Sequence, residues 1–186
     1  LKAHPFGNVP ASFDSTGSVG IFESNSIMRT VARLANDDRG VYGRDPYQAS
    51  RIDSFLDASL VFARDTQHYL LCLGSDRLTR EIHTQGRDAF TNYLDGIERA
   101  MAVGDGFIAG EELTLADICF VAELSLFSRE RAWRRTIEAM ECEPIDWSGF
   151  EYATAHYEEL CAHPAFAADL TPFLEKLAAD IKKHTG

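Results

Sequence analysis

The hydrophobic period of this chain changes once, near residue 36, and that change restricts the folds open to it. Before it, the apolar residues fall in two short runs. Val9-Pro10-Ala11-Ser12-Phe13 reads as extended, Asp14-Ser15-Thr16-Gly17-Ser18 is a cluster of turn formers, and Val19-Gly20-Ile21-Phe22 is a second short apolar run. Two such runs around a turn cluster predict a β-hairpin with a longer loop. Ser24 is a residue type favoured at helix N-caps, and the spacing Ile27, Val31, Leu34 predicts a helix to about Ala35. Asn36-Asp37-Asp38-Arg39-Gly40 then interrupts the pattern as a polar linker.

After the linker every apolar stripe has a helical period. Asp45 followed by Pro46 is a cap and first-turn proline, opening a long helix with Ile52, Phe55, Leu56, Ser59, Phe62 and Ala63 on one stripe. It runs towards Leu73 and ends at Gly74-Ser75-Asp76. A second long helix carries Ile82, Phe90, Leu94, Ile97 and Met101 inward and stops near Gly104-Asp105-Gly106. A third starts at Thr114, with Ile118, Val121, Ala122 and Ser125 expected on its buried face. Glu143-Pro144-Ile145-Asp146 punctuates the next stretch. Tyr152, His156 and Leu160 mark another helix, stopped by His163-Pro164, and Pro172 to Lys183 is amphipathic through Phe173, Leu177 and Ile181. The fold class expected is α+β: a hairpin-and-helix unit over residues 1–36, a linker over 37–44 and an all-helical unit over 45–186.

Charge excludes one class of partner. The formal net charge is −11, and the densest basic stretch, Arg129, Arg131, Arg134 and Arg135, is interleaved with Glu130 and Glu138. Such a surface repels phosphate backbones, so no nucleic acid partner is expected. The longest mostly apolar run, Ile118 to Phe127, contains Glu123 and is too short for a membrane span. Cys72, Cys119, Cys142 and Cys161 are widely spaced without a C-x-x-C pair, and are expected as reduced thiols of a cytoplasmic protein. His156 and His163 lie seven apart without a third ligand at metal spacing, so no metal site is expected.

Three local patterns and a later helix stop, in order, carry a family resemblance that extends over nearly the whole chain. His4-Pro5-Phe6-Gly7-Asn8-Val9-Pro10-Ala11 resembles the N-P-x-G-K-V-P-A segment before the third strand of glutathione transferases. Phe22-Glu23-Ser24-Asn25-Ser26-Ile27 resembles that family's Q/E-S-x-A-I motif at the start of its third helix. Glu111-Glu112-Leu113-Thr114-Leu115-Ala116-Asp117-Ile118 resembles its N-capping box and hydrophobic staple, with Thr114 capping, Asp117 reaching back and Leu113 packing near Ile118. Tyr157 to Phe166, ending in His163-Pro164-Ala165-Phe166, resembles its penultimate helix and stop. The fold implied is a partial thioredoxin-like domain, hairpin plus helix, followed by the family's all-α C-terminal domain.

The resemblance implies glutathione as a substrate, with no separate cofactor. A cis Val9-Pro10 bond would present the Val9 backbone to the cysteinyl unit of glutathione as a one-residue strand addition. The helix start at Ser24 would hold the γ-glutamyl carboxylate through N–H groups and the Ser24 hydroxyl, and Glu23 would take the α-ammonium. Asn8 stands where many relatives have a lysine for the glycyl carboxylate, a weaker contact that His4 is placed to supplement. Thr30 stands where an aromatic is common. The same resemblance puts Phe62, Tyr69, Leu70 and Leu73 at the pocket for a hydrophobic electrophile, whereas the residues alone read as ordinary helix packing. Arg64 and Asp65, at the same level, fit either the cleft or a dimer groove.

The family's first domain is β-α-β-α-β-β-α, and this chain begins just before its third strand. The thiol-activating Tyr, Ser or Cys would lie in the absent part, so the catalytic residue is unknown. Leu1 in place of methionine, and the open edge of the first strand, lead to the expectation of an upstream segment. The function implied is conjugation of the glutathione thiolate to hydrophobic electrophiles by a homodimer, a detoxification chemistry. An alternative is a non-catalytic binding or scaffold module, because the first two motifs also resemble the opening domain of translation elongation factor one B gamma. A third is a regulatory relative with a ligand site and no turnover.

Overall fold

The computed structural model describes residues 2–35, 40–104 and 106–185. The predicted hairpin is β1 (Ala11–Phe13) and β2 (Gly20–Phe22), antiparallel, with Ala11 opposite Phe22, Ser12 opposite Ile21 and Phe13 opposite Gly20. The Asp14 carboxylate organises the loop, accepting from the Thr16 hydroxyl at 2.5 Å, Ser18 N–H at 2.8 Å and Val19 N–H at 2.7 Å. Those donors, the Thr16 hydroxyl foremost, hold its pKa down at about 2. Gly20 is required by a close approach: a Cβ there would lie 2.5 Å from the Ala3 Cα, because residue 3 crosses over β2.

Helix α1 (Ser24–Leu34) follows, then α2 (Pro46–Cys72), α3 (Arg80–Ala102), α4 (Leu115–Phe127), a 3-10 segment (Ser128–Trp133), α5 (Arg134–Ala139), α6 (Glu151–Ala162) and α7 (Pro164–Thr185). Asp45 caps α2 as expected, accepting from Tyr47 and Gln48 N–H at 2.7 and 3.0 Å with Pro46 in the first turn. Thr79 caps α3, accepting from Ile82 N–H. Residues 36–39, at the start of the proposed linker, and Asp105 of the Gly104-Asp105-Gly106 stop lie outside the described residues.

Two expectations are corrected. The last helix begins at Pro164, and Pro172 sits inside it rather than at its start. A proline there removes one N–H and frees the carbonyl four residues back; Pro172 and Ala168 are both exposed, so the break lies on the solvent side of the helix. Helix α4 is buried on most of its circumference, through Leu115, Ala116, Cys119, Phe120, Val121, Leu124 and Phe127, while Ala122 is exposed and Ile118 only half-buried. The reason is position: α4 packs against α1, α2, α6 and the 3-10 segment, so no single stripe defines its buried face.

The larger core cluster is rich in rings. Phe62 stacks on Tyr93 with centroids 4.5 Å apart, Phe90 on Phe127 at 4.7 Å, and Trp147 packs on Phe90 at 5.1 Å. Phe62 and Tyr69 are 3% and 1% exposed within it, and Leu70 and Leu73 pack against it. Phe62 and Tyr69 are therefore core side chains rather than pocket lining, while Leu70 and Leu73 are half-buried at the edge of the cluster. Arg64 and Asp65 are exposed. A smaller cluster of Ile52, Leu56, Leu115 and Cys119 receives Met28 and Ala32 from α1, and is the seat of the hairpin-and-helix unit on the helical domain.

One buried polar chain was not legible beforehand. His83 Nε2 donates to the Glu143 carbonyl at 2.9 Å, and its Nδ1 lies 3.1 Å from the Tyr69 hydroxyl. Tyr69 donates to Glu130 Oε1 at 3.4 Å, and Ile145 N–H approaches the same oxygen at 3.4 Å. The chain pins the irregular 143–147 segment to α2 and α3. Burial raises the Glu130 carboxyl above its ordinary value of 4.5. The folded state thus holds this proton more tightly than the unfolded state, and the group destabilises the fold as pH climbs from 4.5 through the raised folded value. Glu130→Gln, which keeps an acceptor and never ionises, is expected to be more stable than wild type near neutrality and equal to it in acid. Urea denaturation across pH checks this; a constant difference at every pH would contradict it.

Candidate functional site

The register of the hairpin decides which predicted residues meet. Ala11 and Phe22 form the last rung, so Pro10 and Glu23 are the next residues beyond it, followed by Val9 and Ser24. These four occupy one end of the hairpin, and all are exposed. The Val9-Pro10 bond is cis, as the resemblance implied. Val9 is 90% exposed, and no described residue pairs with its backbone N–H or C=O.

Glu23 supplies the N-cap position of α1 with φ 67° and ψ 130°, a left-handed backbone that a non-glycine residue rarely adopts. Its carbonyl accepts the first helical bond, from Ile27 N–H at 3.0 Å. Ser24 is the first helical residue and not the cap, which corrects the expectation that its side chain caps the helix; no side chain caps α1. A cap residue must stand one step outside the helical backbone for its oxygen to fold back on the first turn, and that step falls on Glu23. The N–H groups of Ser24, Asn25 and Ser26 are consequently free of partners among the described residues.

Asn8 is set apart from this end. It lines a shallow open cleft of about 350 Å³ with Lys2, Ala3, His4, Gly7, Ala11 and Phe13, to which Val9, Glu23 and Ser24 do not contribute. His4 forms the inner wall, 4% exposed, its ring 4.7 Å from that of Phe22 and its Nδ1 without a hydrogen-bond partner. Thr30, in the second turn of α1, donates back to the Ser26 carbonyl at 2.9 Å.

The capping box of α4 is present in full. Thr114 accepts from Ala116 N–H, and Asp117 Oδ2 accepts from Thr114 N–H at 2.8 Å. Of the two staple residues, Leu113 packs against the larger core cluster and Ile118 against the smaller. Asp117 does more than a box requires, because its Oδ1 also accepts from Ile108 N–H at 3.0 Å and His156 Nε2 at 2.8 Å. His163 has a local role, its Nδ1 accepting from Ala165 N–H at the start of α7.

Sequence reading missed Asn25, the buried residue of α1, and the histidine His83. The signal for Asn25 was available in part. Asn25, Met28, Arg29 and Ala32 share one helical face, but that face mixes an amide, a guanidinium and two apolar groups, so it does not read as a core stripe. The stripe that does read as one leaves Val31 61% and Leu34 79% exposed.

Residues 66–164 match the family model described as glutathione S-transferase, C-terminal domain. Among curated proteins, a probable elongation factor 1-gamma 1 of Arabidopsis thaliana is 28% identical over 151 residues. That alignment takes in 80% of this chain and 36% of the plant protein, so the chain spans about a third of that relative's length. Among solved structures, an epsilon-class glutathione S-transferase from the housefly, Musca domestica, superposes with a TM-score of 0.72 at 18% identity, covering 99% of this chain and 78% of that one. A glutathione transferase homologue from Drosophila mojavensis with bound glutathione gives 0.71 at 22% identity, covering 99% and 77%. These likenesses show the fold, a partial thioredoxin-like unit followed by the all-helical domain. With its capped helical domain matched over more than half of the 186 residues, the chain belongs to the glutathione S-transferase family.

Proposed function

We propose that this chain recognises glutathione along Val9 and at the start of α1, and that it acts as a glutathione transferase towards hydrophobic electrophiles. One observation carries the reading: an unpaired Val9 backbone lies at the same hairpin end as a helix start with three uncapped N–H groups. The Val9 N–H and C=O pair with the cysteinyl unit in antiparallel fashion. The γ-glutamyl carboxylate takes the Ser24–Ser26 N–H groups and the Ser24 hydroxyl, where the helix dipole favours negative charge. Glu23 receives the α-ammonium, and Asn8 donates one neutral hydrogen bond to the glycyl carboxylate. The bound glutathione of the Drosophila mojavensis homologue supports this choice of ligand. In conjugation the thiol gives up its proton and the sulfur attacks as a thiolate, forming a carbon–sulfur bond. The electrophile releases a leaving group with its bonding pair or, in an addition, opens a π bond that is then protonated. No residue of this chain is assigned the task of favouring that thiolate. A homodimer is the assembly expected.

The similarity to elongation factor 1-gamma favours a second reading, a non-catalytic module with partner binding as its task. Retention on immobilised glutathione with elution by free ligand tests recognition, and turnover with a general electrophile then separates transferase from scaffold. Ser24→Ala removes one charge-assisted hydrogen bond and is expected to weaken glutathione binding roughly tenfold by calorimetry. Unchanged affinity would overturn the assignment of this helix start.

A further inference from the structure

Asn25 is the one residue of α1 that the fold buries, at 4% exposure, and it is an amide where an apolar anchor would serve for packing alone. Its carboxamide reaches two helices of the other domain. Nδ2 donates to the Leu56 carbonyl of α2 at 2.7 Å, and Oδ1 accepts from the Cys119 thiol of α4 at 3.6 Å. Burial pushes the Cys119 thiol up to about 12, so at neutral pH it is a protonated donor. Ser59 stands behind this pair on α2, its hydroxyl 2.7 Å from the Tyr93 hydroxyl of α3. Farther along α1, Arg29 Nε meets Asp53 Oδ1 at 2.6 Å, and Met28 and Ala32 seat on the smaller core cluster. Those contacts hold the second and third turns, and Asn25 holds the first.

An apolar contact fixes separation and leaves a helix free to rotate; two directional bonds from one amide fix rotation as well. Rotation of the first turn is what aims the N–H groups of residues 24–26 and sets the left-handed Glu23 beside them. We propose that Asn25 is a positioning residue, latching the first turn of α1 to α2 and α4 so that the uncapped N–H groups converge on the γ-glutamyl carboxylate. This rests on the glutathione reading above. It implies that affinity for that carboxylate is set partly from within the helical domain, through residues that never touch the ligand.

The test uses the full chain and two ligands: glutathione, and the analogue in which hydrogen replaces the α-carboxyl of the γ-glutamyl unit. In Asn25→Ala, glutathione is expected to bind about tenfold more weakly, the loss of one well-aimed hydrogen bond, with the analogue within about twofold of wild type. Equal weakening of both ligands, or of neither, would overturn the proposal, since general loosening does not single out one carboxylate. Cys119→Val removes the thiol donor without altering α1 and is expected to reproduce part of the selective loss, whereas Cys119→Ser restores a donor and with it the affinity. This pair keeps the proposal testable if Asn25→Ala fails to fold. Hydrogen exchange supplies an arm free of ligand: the Ile27 amide, bonded to the Glu23 carbonyl, is expected to exchange faster in Asn25→Ala. If wild type does not bind glutathione the functional reading falls, and unchanged Ile27 exchange would then overturn the latch as well.

Discussion

Asp117→Ala is expected to lower the unfolding free energy by about 3–5 kcal/mol, the scale of stripping a shared acceptor from several buried donors at once. Asp117 is fully buried, and its two oxygens receive four donors: Ile108 N–H, Thr114 N–H, the Thr114 hydroxyl at 3.0 Å and His156 Nε2. Alanine leaves all four without a partner in an environment that water does not reach. His156 is itself 3% exposed, edge-on to Phe107 and stacked on Phe120 at 5.9 Å, so it has no route to solvent. Thr114→Ala is the control. It deletes one cap oxygen and is expected to cost only about 1–2 kcal/mol. Urea denaturation with an unchanged slope measures both, and equal losses would mean that Asp117 acts through the box alone.

Gly86→Ala is expected to destabilise by about 2–3 kcal/mol, against the usual rule that alanine favours a helix over glycine. A Cβ at Gly86 would stand 2.5 Å from Tyr69 Cδ1 and 2.6 Å from Cγ, a distance at which the ring must move. Tyr69 is 1% exposed and its hydroxyl lies between His83 and Glu130, so displacing the ring also breaks the chain that holds the 143–147 segment. The fall should be visible in thermal unfolding, and near-ultraviolet circular dichroism should report the altered environment of Trp147 at the end of that segment. Gly86→Ala with wild-type stability would show that α2 and α3 separate without penalty. Gly96 is the comparison: nothing lies within 4 Å of a Cβ there, and alanine is expected to stabilise by about 0.5–1 kcal/mol.

Local chemistry was legible wherever it is written in adjacent residues. Asp45-Pro46 opens α2, Thr114 and Asp117 open α4, and the turn cluster after Phe13 closes the hairpin, because each uses partners within a few positions. The Val9–Pro10 and Glu23–Ser24 pairings could be proposed from order and spacing, and their shared end of the hairpin follows from strand register. Two features of the helix backbones were not legible. The cap of α1 depends on which residue turns left-handed, and the backbone at Glu23 does so where the sequence offers Ser24 as the obvious cap. The run of α7 through Pro172 depends on an exposed flank, where the freed carbonyl is not forced into the core.

The sequence by itself determined the α+β class, the hairpin, the order of the longer helices and the family, because period and capping act over one to four residues; the 3-10 segment and short α5 were not read from it. Only the tertiary structure decided which face of α1 is buried. The apolar stripe of Ile27, Val31 and Leu34 predicts one face, yet the helix docks through Asn25, Met28 and Ala32. The reason is that burial is a property of two surfaces. The Leu56 carbonyl and the Cys119 thiol, 31 and 94 residues away, provide the hydrogen bonds that let an amide be buried, and no local pattern records their presence.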